Sequence, residues 1–489
     1  MIDCMKYIYY IMTLVFVAAI MSSCTNDEYK NVIPADSDAI VMINVKSMAE
    51  KADLAESKML QLAKENVSIV VNPKDKDKAD ALIDDPASIG IDFREPACLF
   101  HRRDGCYGLV LKLADKDDFE EFLQMLRANN IVSKAVERDD VMCCKLLGEI
   151  CLLYDKRAAL LYANSMLQSG ERDMKSALAL MKQDKDKSYS TTYTFDTHIE
   201  GKDIVVLTNN ARRSIEELMP KGKPWPFFCL LGDMSSVVTA NFENGKVAIE
   251  AELLPKTDDD RRMMENMKKN LYKINGKFSK YDTRFVSAWA CFGANGKWML
   301  NLLKKSPQCK EYLFMLERCI DVEQMISSIN GDVLVSLNPQ KEFFFTVAAE
   351  LNNSDFLKDV DYWKQSMAEY GASMDNVSAT DYCLRLGGTQ NKFFWGVKDD
   401  DLYFTSISRP EFDTGNILSS LIRDDISDYL FYAYINGDSC LKGHSRSLFL
   451  MNSNCELESV IAKSKTFWEM TVDINLKDKK VNFLKGILE

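Results

Sequence analysis

Histidine is scarce in this sequence: three in 489 residues, at His101, His198 and His444. None has another His or a Cys at ligand spacing, and a zinc site needs three or four ligands so arranged. No metal and no cofactor is therefore expected. Phosphate loops of the form G-x-x-x-x-G-K-[ST] are missing, and so is the dinucleotide pattern G-x-G-x-x-G. Gly443-His444-Ser445-Arg446-Ser447 approaches a nucleophile elbow but lacks its closing glycine. Clustered Lys and Arg are also wanting, and the net charge is −12. That excludes a phosphate-backbone binder, so no nucleic-acid partner is expected. It equally argues against purely electrostatic adhesion to anionic lipid. No apolar run reaches the roughly 20 residues needed to cross about 30 Å of hydrocarbon.

Cysteine is plentiful but unpatterned. Of the 14, Cys4 and Cys24 lie near the N-terminus and the other twelve are scattered without a C-x-x-C. The neighbours Cys143 and Cys144 point to opposite faces of a strand. Most sit in apolar strand text such as Cys98-Leu99-Phe100, where a reduced Cys serves as a small buried hydrophobe. A disulfide framework is the alternative for an exported chain. Carboxylates are abundant in Asp258-Asp259-Asp260 and Asp399-Asp400-Asp401. A glycosidase needs two of them at a set separation across a sugar. The second run falls in a hairpin turn, which reads as a solvated loop.

What is present at the N-terminus is an address. Lys6 precedes an apolar run, Tyr7–Ile20, which ends in Met21-Ser22-Ser23-Cys24. A short apolar run closed by small residues is a secretory signal rather than a span. Apolar, small, small, Cys looks like a bacterial lipobox, with cleavage between Ser23 and Cys24 and lipidation of Cys24. Several acyl chains, palmitate-like, anchor stably where one does not. The acidic residues of Thr25-Asn26-Asp27-Glu28-Tyr29 resemble a surface-export signal of Bacteroidetes-type lipoproteins.

Beyond the tether (residues 24–34), strand and helix signals alternate. Ala39–Val45 reads as a buried strand. Ser47-Met48-Ala49-Glu50 reads as a capping box opening a helix to about residue 63. A hairpin is expected around Arg102–Gly105, and a helix capped by Asp117 with Phe119, Phe122, Leu123 and Leu126 on its apolar stripe. Strands turn at Asp155-Lys156-Arg157. Asn244-Gly245 is a strong hairpin signal, requiring positive φ at both positions. It sets Val238, Ala240 and Phe242 opposite Ala251, Ile249 and Val247, the apolar side of a sheet packed on one face. After a helix in Asp258–Lys273 the order repeats, down to a final hairpin of Trp468–Leu476 with Lys480–Leu484. The expected fold is α+β: two related units from an internal duplication, residues 35–273 and 284–489. Each would carry antiparallel hairpins and packed helices, after a signal peptide over residues 1–23.

The lipobox, then Ile33-Pro34-Ala35-Asp36-Ser37-Asp38-Ala39-Ile40-Val41-Met42-Ile43-Asn44-Val45-Lys46, then the doubled strand-and-helix pattern, resembles a family of Bacteroidetes envelope lipoproteins known only as a domain of unknown function. The resemblance spans nearly all of the mature chain. It implies an envelope address and carries over no catalytic or binding residue. Trp225 and Phe227, in the Pro-bracketed loop Lys223-Pro224-Trp225-Pro226-Phe227-Phe228, are the candidate ligand contacts, where a ring can stack on a sugar or seat a partner. The expectation is a non-enzymatic binding or scaffolding protein, held to the outer membrane by lipid on Cys24, on the cell surface rather than facing the periplasm. A glycan or a protein would be its partner. The alternatives are a surface hydrolase acting on glycan or peptide, and an accessory subunit of an outer-membrane complex.

Overall fold

The computed structural model describes residues 27–57, 60–62, 64–65, 71–164, 170–191, 201–213, 233–280, 288–338, 344–385, 392–406, 426–437 and 456–488. The chain enters through a 3-10 turn, Asp27–Val32, and passes into β1 (Ser37–Ile43), α1 (Val45–Lys51) and α2 (Lys76–Asp84). The hairpin β2 (Ala97–Arg102) and β3 (Cys106–Lys112) follows, then α3 (Lys116–Ala128). β4 (Val136–Arg138), β5 (Val141–Leu146), β6 (Ile150–Tyr154) and β7 (Ala158–Asn164) form a meander closed by α4 (Glu171–Met181). β8 (Ile204–Thr208) and the hairpin β9 (Ser235–Glu243) and β10 (Lys246–Leu254) complete this flank. α5 (Asp258–Asn270) and the short β11 (Leu271–Tyr272) cross to β12 (Ala288–Asn295), α6 (Gly296–Leu303), α7 (Pro307–Glu317) and α8 (Val322–Ser327). Next come β13 (Ile329–Asn338), β14 (Phe344–Leu351), α9 (Val360–Glu369), β15 (Ser373–Asn376), β16 (Asp381–Arg385), β17 (Lys392–Lys398) and β18 (Asp401–Thr405). The chain finishes with β19 (Phe431–Asn436), β20 (Leu457–Ser464), β21 (Glu469–Leu476) and α10 (Phe483–Leu488).

All of these strands belong to one 21-stranded sheet. From one edge the order is β4-β5-β6-β7-β3-β2-β1-β8-β9-β10, antiparallel throughout. β10 then pairs with β21 from Lys246↔Asn475 to Glu252↔Glu469. The order continues β20-β19-β12-β13-β14-β18-β17-β16-β15. β11 takes the same edge of β12 as β19, beyond Phe292.

This corrects the expected architecture. The sequence suggested two α+β units, each with its own hairpin sheet; the hydrogen bonds make one antiparallel sheet. The β10–β21 ladder removes the two edges at which separate sheets would end, and unpaired edges invite unwanted pairing. Lys246 reaches Asp473 across that seam at 2.8 Å. The flanks share an order of strands outward from the seam. A shared order inside one sheet does not make two units, and an internal duplication is not shown.

Helices cover both faces of the sheet. In the first flank one core holds Leu111, Phe119, Phe122, Cys144 and Leu152, under α2 and α3. The opposite core holds Tyr29, Ile33, Val110, Cys143, Leu153 and Ala177, under the entry turn and α4. Successive strand residues alternate between the two, so Cys143 and Cys144 point apart as expected. In the second flank Trp289, Cys291, Leu334 and Tyr432 form one core, and Phe356, Val360, Trp363 and Trp395 another.

Several local readings shift. The α1 cap is Asn44, whose side chain accepts from the Ser47 amide at 3.1 Å; Ser47 turns its hydroxyl to Asp203 instead. Asp115, not Asp117, caps α3. The β9–β10 register is as read, with Phe242 opposite Val247 and Ala240 opposite Ile249. Gly245 alone takes positive φ at that turn, at +72°. Val237 and Thr239, on the face expected to be open, are buried, so the hairpin is covered on both sides. Lys480–Leu484 is not a strand; β21 pairs with β20 and β10, and Phe483 begins α10.

Candidate functional site

A cluster of charges, most of them buried or half-buried, lies at one end of β13, β14 and β18. Antiparallel pairing sets Glu350 opposite Asp401. Asp332 enters from β13 and is 1% exposed. Its carboxylate accepts from the backbone amides of Asn275 (2.9 Å) and Gly276 (3.0 Å) in the loop after β11. Glu350 Oε2 accepts from the Asp332 amide at 2.7 Å and from Asn275 Nδ2 at 2.5 Å. Lys277 Nζ donates to Asp401 at 2.7 Å and lies 3.6 Å from Glu350.

Burial pushes the Asp332 carboxyl above the usual Asp range, and the Glu350 charge adds to it; the loop amides offset part of this. Burial likewise raises Asp401, against the pull of Lys277. Three neighbouring carboxylates, two of them on one ammonium, resemble acid–base equipment. Yet their oxygens are taken up by backbone amides, an asparagine amide and the lysine. The arrangement therefore clamps the 273–278 loop to the sheet. Asp399 and Asp400 are the exposed turn residues expected, both at positive φ, whereas Asp401 is buried in the clamp. Sequence pattern gave no hint of this, because the three acids come from separate strands.

Other buried charges have the same role. Asp92 is 5% exposed and is held by Arg94 Nε at 2.9 Å and Lys112 Nζ at 3.2 Å. Asp203 is fully buried; it accepts from Ser47 Oγ and Lys51 Nζ, both at 2.6 Å, and from the Phe242 amide at 2.7 Å. It thus ties α1 to β8 and β9. Asp260 caps α5 from within, accepting from the Thr257 and Lys256 amides. Among the described residues no group of three or more His, Cys, Asp and Glu is placed to hold a metal ion.

The described cysteines are reduced thiols: Cys98, Cys106, Cys143, Cys144, Cys151, Cys291 and Cys383 are buried, Cys309 and Cys319 half-buried. Burial, with Cys143 and Cys151 adding to it, pushes the Cys144 thiol up to about 12. Burial raises Cys106, Cys143 and Cys291 too. A reactive thiol needs the opposite shift, toward thiolate. These are packing residues, as their apolar strand contexts implied.

His101 lies in β2, its ring 4.6 Å from that of Tyr107. Ser23 and Cys24, the ligand candidates Trp225 and Phe227, His198, and the 443–447 stretch with His444 all lie outside the described residues.

A feature the sequence reading missed is α7. Ser306 accepts from the Cys309 amide and Pro307 sits at the first helical position, a recognisable start signal. Leu313 is buried, but Tyr312, Phe314, Met315 and Leu316 are 57, 62, 55 and 46% exposed. Scattered exposed apolar residues are ordinary; four large ones on one short helix are a candidate contact surface. Arg318 lies over the Phe314 ring at 5.0 Å.

A family model with the description "Domain of unknown function (DUF4836)" matches residues 29–415. The chain belongs to this family. The matched stretch begins at Tyr29, which the fold buries to 1% exposure, and stops short of β19, β20 and β21. No curated protein matches. Similar solved structures are crystal forms III and I of TP0453. Form III is 9% identical, covering 50% of this chain and 87% of that one at a TM-score of 0.30. Form I is 10% identical, covering 50% and 86% at a TM-score of 0.27. Among the described residues no helix is long and apolar enough to cross a membrane.

Proposed function

We propose that this family member is a lipoprotein of the Bacteroidetes type, anchored through Cys24 to the outer membrane. It faces the cell surface and works by binding a protein partner rather than by catalysis. The export-type sequence before Cys24 supports the address. The observation that carries the binding role is α7, which exposes Tyr312, Phe314, Met315 and Leu316 on a short helix packed through Leu313. Lys310, Glu311 and Arg318 border these residues in sequence. Exposed aromatics and Met with charged sequence neighbours match the make-up of protein–protein contact surfaces. A stable companion seated there would make the chain an accessory subunit of an envelope complex.

The test is photocrosslinking in living cells from a benzophenone side chain at Tyr312. The expected result is one discrete heavier adduct, lost in a Phe314→Asp/Met315→Asp variant whose thermal unfolding is unchanged. Substitutions at such exposed sites cost within about 0.5 kcal/mol. A chain that gives no adduct, or the same adducts in the variant, contradicts the binding role.

A further inference from the structure

We propose that the face around the entry turn Asp27–Val32 lies against the lipid surface, so that the body is held in one orientation rather than swinging on its tether. This rests on the lipid-anchor reading and goes beyond it. Tyr29, Val32 and Ile33 are 1, 1 and 0% exposed. Four residues, 25–28, separate Cys24 from Tyr29. At most about 3.6 Å per residue, the span from Cys24 to Tyr29 is no more than about 18 Å.

The turn cannot peel away to lengthen this tether without exposing three fully buried side chains, each a large apolar loss. It is also bound along its length. Tyr29 Oη donates to the Pro96 carbonyl at 3.0 Å, and Gln183 Nε2 donates to the Asn31 carbonyl. The Tyr189 amide donates to the Ile33 carbonyl at 3.0 Å, and the Ala35 amide to the Lys187 carbonyl at 3.1 Å. The segment 182–189 is thus fastened beside the tether's exit. Its exposed part, Lys182–Lys187, carries three Lys against two Asp, in a chain whose net charge is −12. With Asp27, Glu28 and Lys30 of the entry turn, the side nearest the anchor carries four positive and four negative charges, so it meets less repulsion from anionic headgroups than the net-acidic molecule as a whole.

The experiment is lysine acylation, read peptide by peptide by mass spectrometry. The lipidated chain is bound to vesicles of phosphatidylethanolamine and phosphatidylglycerol, and soluble unlipidated protein made without residues 1–24 is the reference. Flotation of the vesicles first establishes that the lipidated chain is bound. Lys185 and Lys187 should then react several-fold more slowly on vesicles than in the soluble protein, while Lys358, on the other flank, should react equally in both. A 30-residue Gly/Ser insertion after Asn26 adds a coil of roughly 30 Å root-mean-square length and should restore Lys185 and Lys187. Vesicle-bound protein with Lys185 and Lys187 as reactive as in solution overturns the orientation and leaves the anchor standing. Protein that fails to float overturns the anchor reading, and the orientation with it.

Discussion

Asp332 shows how much a single buried group does here. Its two oxygens satisfy the amides of Asn275 and Gly276, which would otherwise be buried without partners. Replacing it with Ala strands those donors and should cost about 2–3 kcal/mol of stability in urea unfolding. The pH dependence has a definite sign. The folded-state carboxyl titrates above its unfolded value, because burial disfavours the charge. Its contribution is therefore fully present below the usual Asp range and is lost as pH rises through the folded value. Lowering the pH from neutral should therefore widen the stability difference between wild type and Asp332→Ala, whereas for an ordinary salt-bridged Asp it would narrow. An unchanged midpoint in Asp332→Ala would show that the clamp contributes nothing. Residue-scale chemistry was only partly legible in sequence. The cysteines could be read as buried because their neighbours are apolar. The caps were displaced: Asn44 acts where Ser47 was expected, since Asp203, 156 residues away, claims the Ser47 hydroxyl.

At the scale of elements, the hairpin β9–β10 was the most legible feature, and its turn shows why. Asn244-Gly245 fixes the loop length, and loop length fixes the register. What the sequence could not show is the partner of the turn. The Gly245 amide donates to the Val481 carbonyl at 2.8 Å, and a Cβ on Gly245 would lie 2.5 Å from Lys479 Cα. Gly105, in the β2–β3 turn, has a similar φ of +82° with nothing within 4 Å of its Cβ position. Gly105→Ala should thus cost only the left-handed strain, about 1–2 kcal/mol. Gly245→Ala should cost more, and hydrogen exchange should accelerate in the 476–482 segment as the turn undocks. Equal costs with unchanged exchange would contradict the docking. Helix α7 was missed because its apolar residues point outward, so it has no buried stripe at helical spacing to find; only Ser306-Pro307 marked it.

The whole molecule was the least legible scale. Local alternation identified most strands, but not that β10 would pair with β21 some 220 residues later in the chain. Both strands alternate, with Val247, Ile249 and Ala251 or Met470, Val472 and Ile474 on an apolar face and a mostly polar face opposite, a pattern that edge and central strands share. Reading each flank as closed was therefore natural, and the seam ladder overturns it. Function follows the same division. The fold places buried acids as clamps and thiols as packing, and it leaves α7 open at the surface. The proposed envelope address rests on the sequence of residues 7–24, which are not among the described residues. The most direct measurement is the mass of the N-terminal peptide of the protein purified from its native membrane. The account predicts a chain beginning at an acylated Cys24, with Cys24→Ala left unprocessed. A mature chain that retains Tyr7–Ile20, or that begins at an unmodified residue, would contradict it.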